Sequence, residues 1–461
     1  MSGTPSIAPR PPLDGAAGDL RRIADGLDAE VLGRELDALL RELYPICRSI
    51  TGEGLRSSLR LLQRLAPLEL REVPSGTQVF DWVVPREWNL RAARLTGPGG
   101  EGVVDAASLS LHVLNYSAPF RGTVGLEELD KHLHSLPDAP ARVPYRTSYY
   151  KEDWGFCLSH EQRARLAPGR YEVLIDTTLE KGSLTYGELL VPGASADEVL
   201  ISAHCCHPSL ANDNLSGMLL SATLARLLAG LPLRYSYRFL FVPGTIGSIA
   251  WLALNEQRAR RIKHGLVAAC VGDAGKLTYK RSRRGDAEID RAVVQVLAHS
   301  GQEHQIRDFT PYGYDERQYC SPGFDLAVGS LTRTPHGEYP EYHTSGDDPS
   351  FVKPDRLVDS IRRYLEVFEV LEGNLTYQNL SPKCEPQLGK RGLYGSTGGQ
   401  SHAVASQMAM LWVLSLCDGT RSLLDVAERS KVAFPALRVA ARALEAVGLL
   451  KVTPAPPSAG P

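Results

Sequence analysis

Apolar positions change their spacing several times along this chain, and each change marks a different kind of unit. From Asp28 to Leu65 the residues Leu32, Leu36, Leu39, Leu40 and Leu43 recur at helical spacing, with interruptions near Pro45 and Gly52. That pattern predicts two helices. From Glu72 to about Leu166 the runs VFDWVVP, ARLTG, SLSLHVLNY and RGTVG are short, alternating and broken by Pro, Gly and Asn. They predict an all-β module, closed by the turn-rich PDAPARVPYRTSYYKEDWGF. Strand and helix then alternate. YEVLIDTTL and GSLTYGELLVPG read as paired strands, EVLISAH, YRFLFVPG and GLVAACVGD as short buried strands, and SGMLLSATLARLLAGLP and IAWLALNEQRARRIKHG as helices. Such alternation predicts a parallel or mixed sheet covered on both faces. The helix VDSIRRYLEVFEVLEGN ends that unit near Asn374, and a loop-like Pro382–Gly399 follows. Three short helical stretches and an apolar LLKV then outline a winged helix-turn-helix.

The expected organisation is a mobile tail over 1–20 and a discontinuous α/β domain from 21–71 and 167–375. A β-rich insertion fills 72–166, a winged-helix-like unit spans 376–455, and a short tail covers 456–461. A chain of 461 residues is too long for one core, which agrees with several units. Its 43% hydrophobic and 23% charged residues are globular values. A formal net charge of -2 argues against a general electrostatic grip on nucleic acid or anionic membrane. No apolar run approaches the roughly 20 residues of a membrane helix, and the N-terminal stretch has no apolar signal core. The eight cysteines are scattered without a CxxC, so the expectation is a reduced chain in the cytoplasm. In the C-terminal unit Arg421, Arg429, Lys431, Arg438 and Arg442 are interleaved with acids and form no dense stripe. Nucleic acid is therefore not the expected partner despite the winged-helix outline. A partner-binding or dimerisation role is the alternative, and a homo-oligomer stays open.

The chemistry concentrates in ISAHCCHPSLANDNLSG, residues 201–217. A strand carries His204 at its C-terminal end, and Asp213 stands just before a helix opening at Ser216-Gly217. Open α/β sheets bind ligands beyond the carboxyl ends of their strands, and imidazole and carboxylate are usual zinc ligands. Taken alone the segment has a plainer reading, in which Asp213 caps the helix and His204 packs in a turn. Two further features add to the metal reading. Asp273 ends the apolar run LVAACVGD, where an ionised carboxylate is costly unless paired or metal-bound. His343 lies in GEYPEYHTSGDD, a loop crowded with carboxylates.

The order of His, then Asp-Asn with Ser-Gly, then GTIGS, then a strand-end Asp, then YHTS resembles the M28-type zinc aminopeptidases. More closely, VFDWVVPREWN, VLNYSAPFRG, PYRTSYYKEDWGFCLS, LISAHCCHPSLANDNLSG and YDERQYCSPGFDL resemble the DUF4910 aminopeptidase-like family with its inserted DUF2172 domain and C-terminal winged helix. The resemblance covers most of residues 30–375. It implies an α/β core with a mixed sheet between helices and hydrolysis of an amide or peptide bond in a small substrate. It also implies zinc. One ion would be held by His204, Asp213 and Asp273. A second, left open, would be bridged through Asp213 and completed by His343 and a glutamate. His207 and Asn214 are alternative or supporting ligands, and Asp315, Glu316 and Tyr342 are expected in the substrate pocket. The chain departs from the peptidases at Pro243-Gly244-Thr245, where they carry a glutamate pair that supplies a base and a ligand. A glycine can do neither, so Glu338 and Glu341 become the base candidates. The same glycine allows a rival reading, a non-catalytic metal- or ligand-binding scaffold with a winged-helix arm.

Overall fold

In a computed structural model, residues 15–393 and 401–453 are described, the side chains of 401–405 excepted. The centre is an eight-stranded mixed sheet. Its strands are β1 (Glu69–Pro74), β2 (Ser183–Val191), β3 (Glu198–His204), β4 (Ser236–Val242), β5 (Ile262–Val267), β6 (Leu277–Lys280), β7 (His304–Arg307) and β8 (Val328–Thr332). They lie in the order β1-β2-β4-β3-β5-β8-β6-β7. The four central strands β4, β3, β5 and β8 are parallel, and β1, β2 and β6 run antiparallel to a neighbour.

All seven residues of β3 and of β4 are buried, as a sheet covered on both faces requires. Alternation sends Val199, Ile201, Ala203, Tyr237, Phe239 and Phe241 into one core and Leu200, Leu240 and Val242 into the other. The first core is shared with helices Gly15–Gly26, Ala29–Leu43, Gly217–Leu228 and Pro354–Gly373, and with the C-terminal unit. The second is shared with helix Ile246–Leu254 and the β-rich module. Arg238 on β4 is a buried exception, ion-paired with Glu188 and with Glu198, the latter at 2.6 Å.

Three sequence expectations need correction. Residues 15–20, assigned to a tail, open the helix Gly15–Gly26, whose Ala16, Ala17, Leu20 and Ala24 are buried. The rest of the predicted tail, and residues 456–461, lie outside the described residues. The strand Arg170–Glu180, expected beside β2, instead pairs with Glu87–Thr96 and Phe120–Gly125 in a separate four-stranded sheet. β1 crosses the other way and pairs with β2, so the module begins and ends later than the composition suggested. Finally, RIKHG is not the tail of a helix. The helices stop at Ala259 and β5 starts at Ile262.

At the C-terminus, strands Thr376–Asn379, Asp418–Ser422 and Leu450–Val452 form an antiparallel sheet beside helices Ser401–Leu416, Leu423–Ser430 and Phe434–Ala446. Arg291 pairs with Glu428 at 2.6 Å, and Arg438 with buried Glu369 at 3.0 Å. Arg438 is thereby turned into the interface with the α/β unit. Among the described residues no helix is long and apolar enough to cross a membrane.

Candidate functional site

β3 delivers His204 to the carboxyl edge of the sheet, and the next ten residues fold back over that edge. Asp213 is fully buried in the turn Ala211–Ser216. Three imidazoles converge on its carboxylate. His204 Nε2 is 2.7 Å from Oδ1, His343 Nε2 is 3.0 Å from Oδ2, and His207 Nδ1 is 3.2 Å from Oδ2. The coordinating atoms of His204, His207 and Asp213 all lie within 4.8 Å of one another. Burial alone pushes the Asp213 carboxyl up, but His207 and His204 outweigh it and hold it well below the ordinary range. Burial lowers His204 and His343, whereas Asp213 raises His207 against its own burial.

The turn is held by Asp347, also fully buried, which accepts Asn212 N–H at 2.6 Å and Asp213 N–H at 2.9 Å. Burial pushes the Asp347 carboxyl up to about 7, opposed by those two N–H donors. Asn214 supports the edge from beneath. Its Nδ2 donates to the carbonyls of Ala268 (2.9 Å) and His204 (3.2 Å), and its Oδ1 accepts Gly217 N–H at 3.1 Å. His343 holds a φ of 53° and Cys270 a φ of 50°, both in the left-handed region. Such backbone concentrates at functional sites.

Aromatic rings wall the cluster. Tyr314 stacks on His204 with centroids 4.9 Å apart, and Tyr342 stacks on His343 at 4.0 Å. Tyr145 comes from the β-rich module and sets its ring edge-on to His207 and His343. Its N–H donates to the His343 carbonyl at 2.8 Å, so the module is fastened to the His343 loop by backbone. Beyond Tyr314 lies a cavity of about 190 Å³ lined by Lys280, Arg307, Tyr312, Glu316, His336 and Glu338 among others. A larger cavity of about 980 Å³, between helix Pro354–Gly373 and the C-terminal unit, holds none of the cluster residues.

Not every expected residue joins this group. Asp273 does not. Its Oδ1 accepts Thr334 Oγ1–H at 2.6 Å and Gly275 N–H at 2.7 Å, and its Oδ2 accepts Asn212 Nδ2–H at 3.0 Å and Thr334 N–H at 3.2 Å. Four donors satisfy the charge that the apolar run made conspicuous. The base candidates are also committed elsewhere: Glu338 pairs with Arg307 (2.7 Å) and Glu341 with Arg142 (2.7 Å). Glu316 is buried against Lys280 at 2.5 Å. Asp315 is fully buried and accepts Ser248 Oγ–H at 2.6 Å. His207, expected as an alternative or supporting ligand, stands in the cluster itself. Asp347, Tyr145, Tyr314 and Cys270 carry no local signal of a site role, although Tyr145 lies within PYRTSYYKEDWGFCLS and Tyr314 opens YDERQYCSPGFDL. Gly244 is not in the left-handed region. Glycine is therefore not demanded there by a positive φ. A Cβ at 244 would lie 3.2 Å from His204 Cβ, tight but not backbone-blocked.

The donor set fits a zinc ion. His204, His207 and Asp213 bring their ligand atoms together, and His343, about a third exposed, reaches the same carboxylate from its loop; imidazole nitrogen and carboxylate oxygen are ligands zinc takes.

A family model described as a domain of unknown function, DUF4910, matches residues 37–374, and a winged helix-turn-helix model matches residues 375–452. A Clostridium acetobutylicum protein whose name combines polysaccharide biosynthesis with an aminopeptidase-like domain is 51% identical over 420 residues, covering 91% of this chain and 96% of that protein. A crystal structure of a C. acetobutylicum protein described as a peptidase superposes with a TM-score of 0.90 at 48% identity, over 95% of this chain and 100% of that one. A zinc aminopeptidase from Bacillus subtilis superposes with a TM-score of 0.53 at 14% identity, over 73% of this chain and 94% of that one. At that identity it shows the shared fold alone. The chain belongs to the DUF4910 family, an aminopeptidase-like α/β fold of M28 type followed by a winged helix.

Proposed function

We propose that this chain is a zinc-dependent hydrolase of an amide or peptide bond in a small substrate. The observation that carries the reading is the convergence of His204, His207 and His343 on the single buried carboxylate of Asp213. Those four side chains would hold the metal. Bound zinc supplies carbonyl polarisation and a water acidified to near neutrality. The chain's own residues do the rest. Asp347 fixes the turn that aims Asp213. Asn214 anchors the strand end beneath His204. Tyr314, Tyr342 and Tyr145 limit water around the imidazoles. The cavity beyond Tyr314, on whose wall Glu316 is paired with Lys280 and Glu338 with Arg307, leaves room for part of a small substrate.

Zinc content of the purified protein, measured together with hydrolysis of aminoacyl p-nitroanilides, tests this reading. One zinc per chain and turnover that both disappear in Asp213→Ala support it. A protein without zinc and without turnover refutes it. The one observation that favours the rival scaffold reading is Gly244, and zinc without turnover on any aminoacyl amide would select that reading.

A further inference from the structure

We propose that Asp315 is the proton-transfer carboxylate of this site, facing the candidate metal cluster across the gap that Gly244 leaves open. The inference rests on the hydrolase reading and names the group that reading lacks.

Among the described residues, Asp315 and Glu316 are the only carboxylates with a buried oxygen that lacks a hydrogen bond. Glu316 is offset by the ammonium of Lys280. Asp315 Oδ2 has neither a hydrogen bond nor an ion pair, although the side chain is fully buried. A buried polar oxygen without a partner is costly, and such orphans call for an explanation. Its direction is set locally. Ser248 Oγ–H, on the helix that follows Gly244, holds Oδ1 at 2.6 Å and turns Oδ2 away. A Cβ on Gly244 would sit 3.7 Å from Oδ2 and 3.2 Å from His204 Cβ. The free carboxylate oxygen and His204 therefore border the same small space, which any larger residue at 244 would fill.

The groups facing Asp315 are few. Glu316 and Arg317 flank it in sequence, His207 acts on it from the cluster side, and Cys205, Cys206 and Tyr319 lie near it. Burial is the largest influence and pushes its carboxyl up to about 7. A carboxylate in that range can both accept and return a proton near neutral pH. The step balances. A water O–H gives its proton to Asp315 Oδ2 as the water oxygen bonds to the amide carbon. The same proton then passes to the leaving nitrogen as the C–N bond breaks, yielding acid and amine with Asp315 again ionised.

The test uses the full-length zinc-loaded protein at pH 8 and acetohydroxamic acid, which loses a proton when it binds a metal. Calorimetry in two buffers of different ionisation enthalpy counts the protons released. Asp315→Asn keeps the Ser248 contact and is expected to retain zinc, yet to release about one proton more per bound hydroxamate than the parent. Its kcat on an aminoacyl p-nitroanilide is expected to fall by about 10²–10⁴-fold. The double variant Asp315→Asn with Gly244→Glu, which brings a carboxylate into the same space from the other side, is expected to recover at least tenfold of that loss. Ser248→Ala separates a structural role, since it removes the contact and leaves the carboxylate. If it reproduces the proton count of Asp315→Asn, the proposal is overturned; a fall in kcat with the parent's proton count is the loss of aim that the Ser248 contact provides. Equal proton counts in parent and Asp315→Asn, both holding zinc, overturn it as well. A parent that holds no zinc overturns the hydrolase reading first and this inference with it.

Discussion

Replacing Asp347 by alanine separates the support of the site from the site itself. Asp347 touches none of the three imidazoles at hydrogen-bond distance. It holds the backbone of the turn that carries Asp213 by accepting Asn212 N–H at 2.6 Å and Asp213 N–H at 2.9 Å. Removing the carboxylate leaves two buried donors unpaired, at about 1–3 kcal/mol each. Part of that loss is offset, because the carboxylate is itself strained by burial, as its rise to about 7 indicates. The backbone bond from Ala211 N–H to the Asp347 carbonyl survives the substitution. The expected net destabilisation near pH 7 is about 2 kcal/mol, read as a shift in the urea midpoint with an unchanged slope. Zinc affinity, measured by competition with a chromogenic chelator, should weaken about 10–100-fold, the usual cost of losing a group that orients a ligand. Asp347→Asn keeps one acceptor oxygen and should fall between parent and alanine on both scales. Parental zinc affinity in a destabilised Asp347→Ala protein would refute the idea that this turn aims Asp213.

Asp273→Asn should lower stability, because four donors share that carboxylate, and should leave zinc stoichiometry unchanged by metal analysis. Tyr145→Ala should raise KM several-fold in steady-state kinetics while zinc stays bound, since Tyr145 walls the cluster only through ring edges. The pH dependence of stability should change in metal-free Asp315→Asn. In the parent the folded carboxyl is raised from 3.8 to about 7, so the folded state binds more protons than the unfolded chain across that window. Its contribution is therefore fully present below about pH 4 and is lost as pH rises through 7. Urea titrations from pH 4 to 8 should show a steeper decline for the parent than for the variant, by up to about 4 kcal/mol over the window, and parallel curves would contradict this.

The alternation of buried strands with helices made the central sheet readable, because β3 and β4 are apolar enough to admit one interpretation. The boundary of the β-rich module was not. YEVLIDTTL alternates as well in one sheet as in the other, and only long-range pairing with Glu87–Thr96 decides between them. The reading of the site divides along the same line. His204 and Asp213 stand nine residues apart and are positioned by local strand and turn signals. Asp273 is less legible, because an apolar run ending in a carboxylate implies a partner for the charge without saying which. That run continues past β5 into a loop, where Thr334 and Gly275 supply the partners. Asp347 and Tyr145 act through contacts 134 or more residues away in sequence or through ring packing, and periodicity carries no record of either.

We propose that His204, His207 and His343 hold a metal together with Asp213. X-ray absorption at the zinc edge of the purified protein tests it most directly, because it counts ligand types without requiring turnover. About one zinc is expected, ligated by nitrogen and oxygen alone, with a multiple-scattering pattern from about three imidazoles that weakens in His207→Ala. Sulfur scattering at about 2.3 Å, which Cys270 or Cys206 would produce, or a spectrum unchanged by His207→Ala, would contradict it.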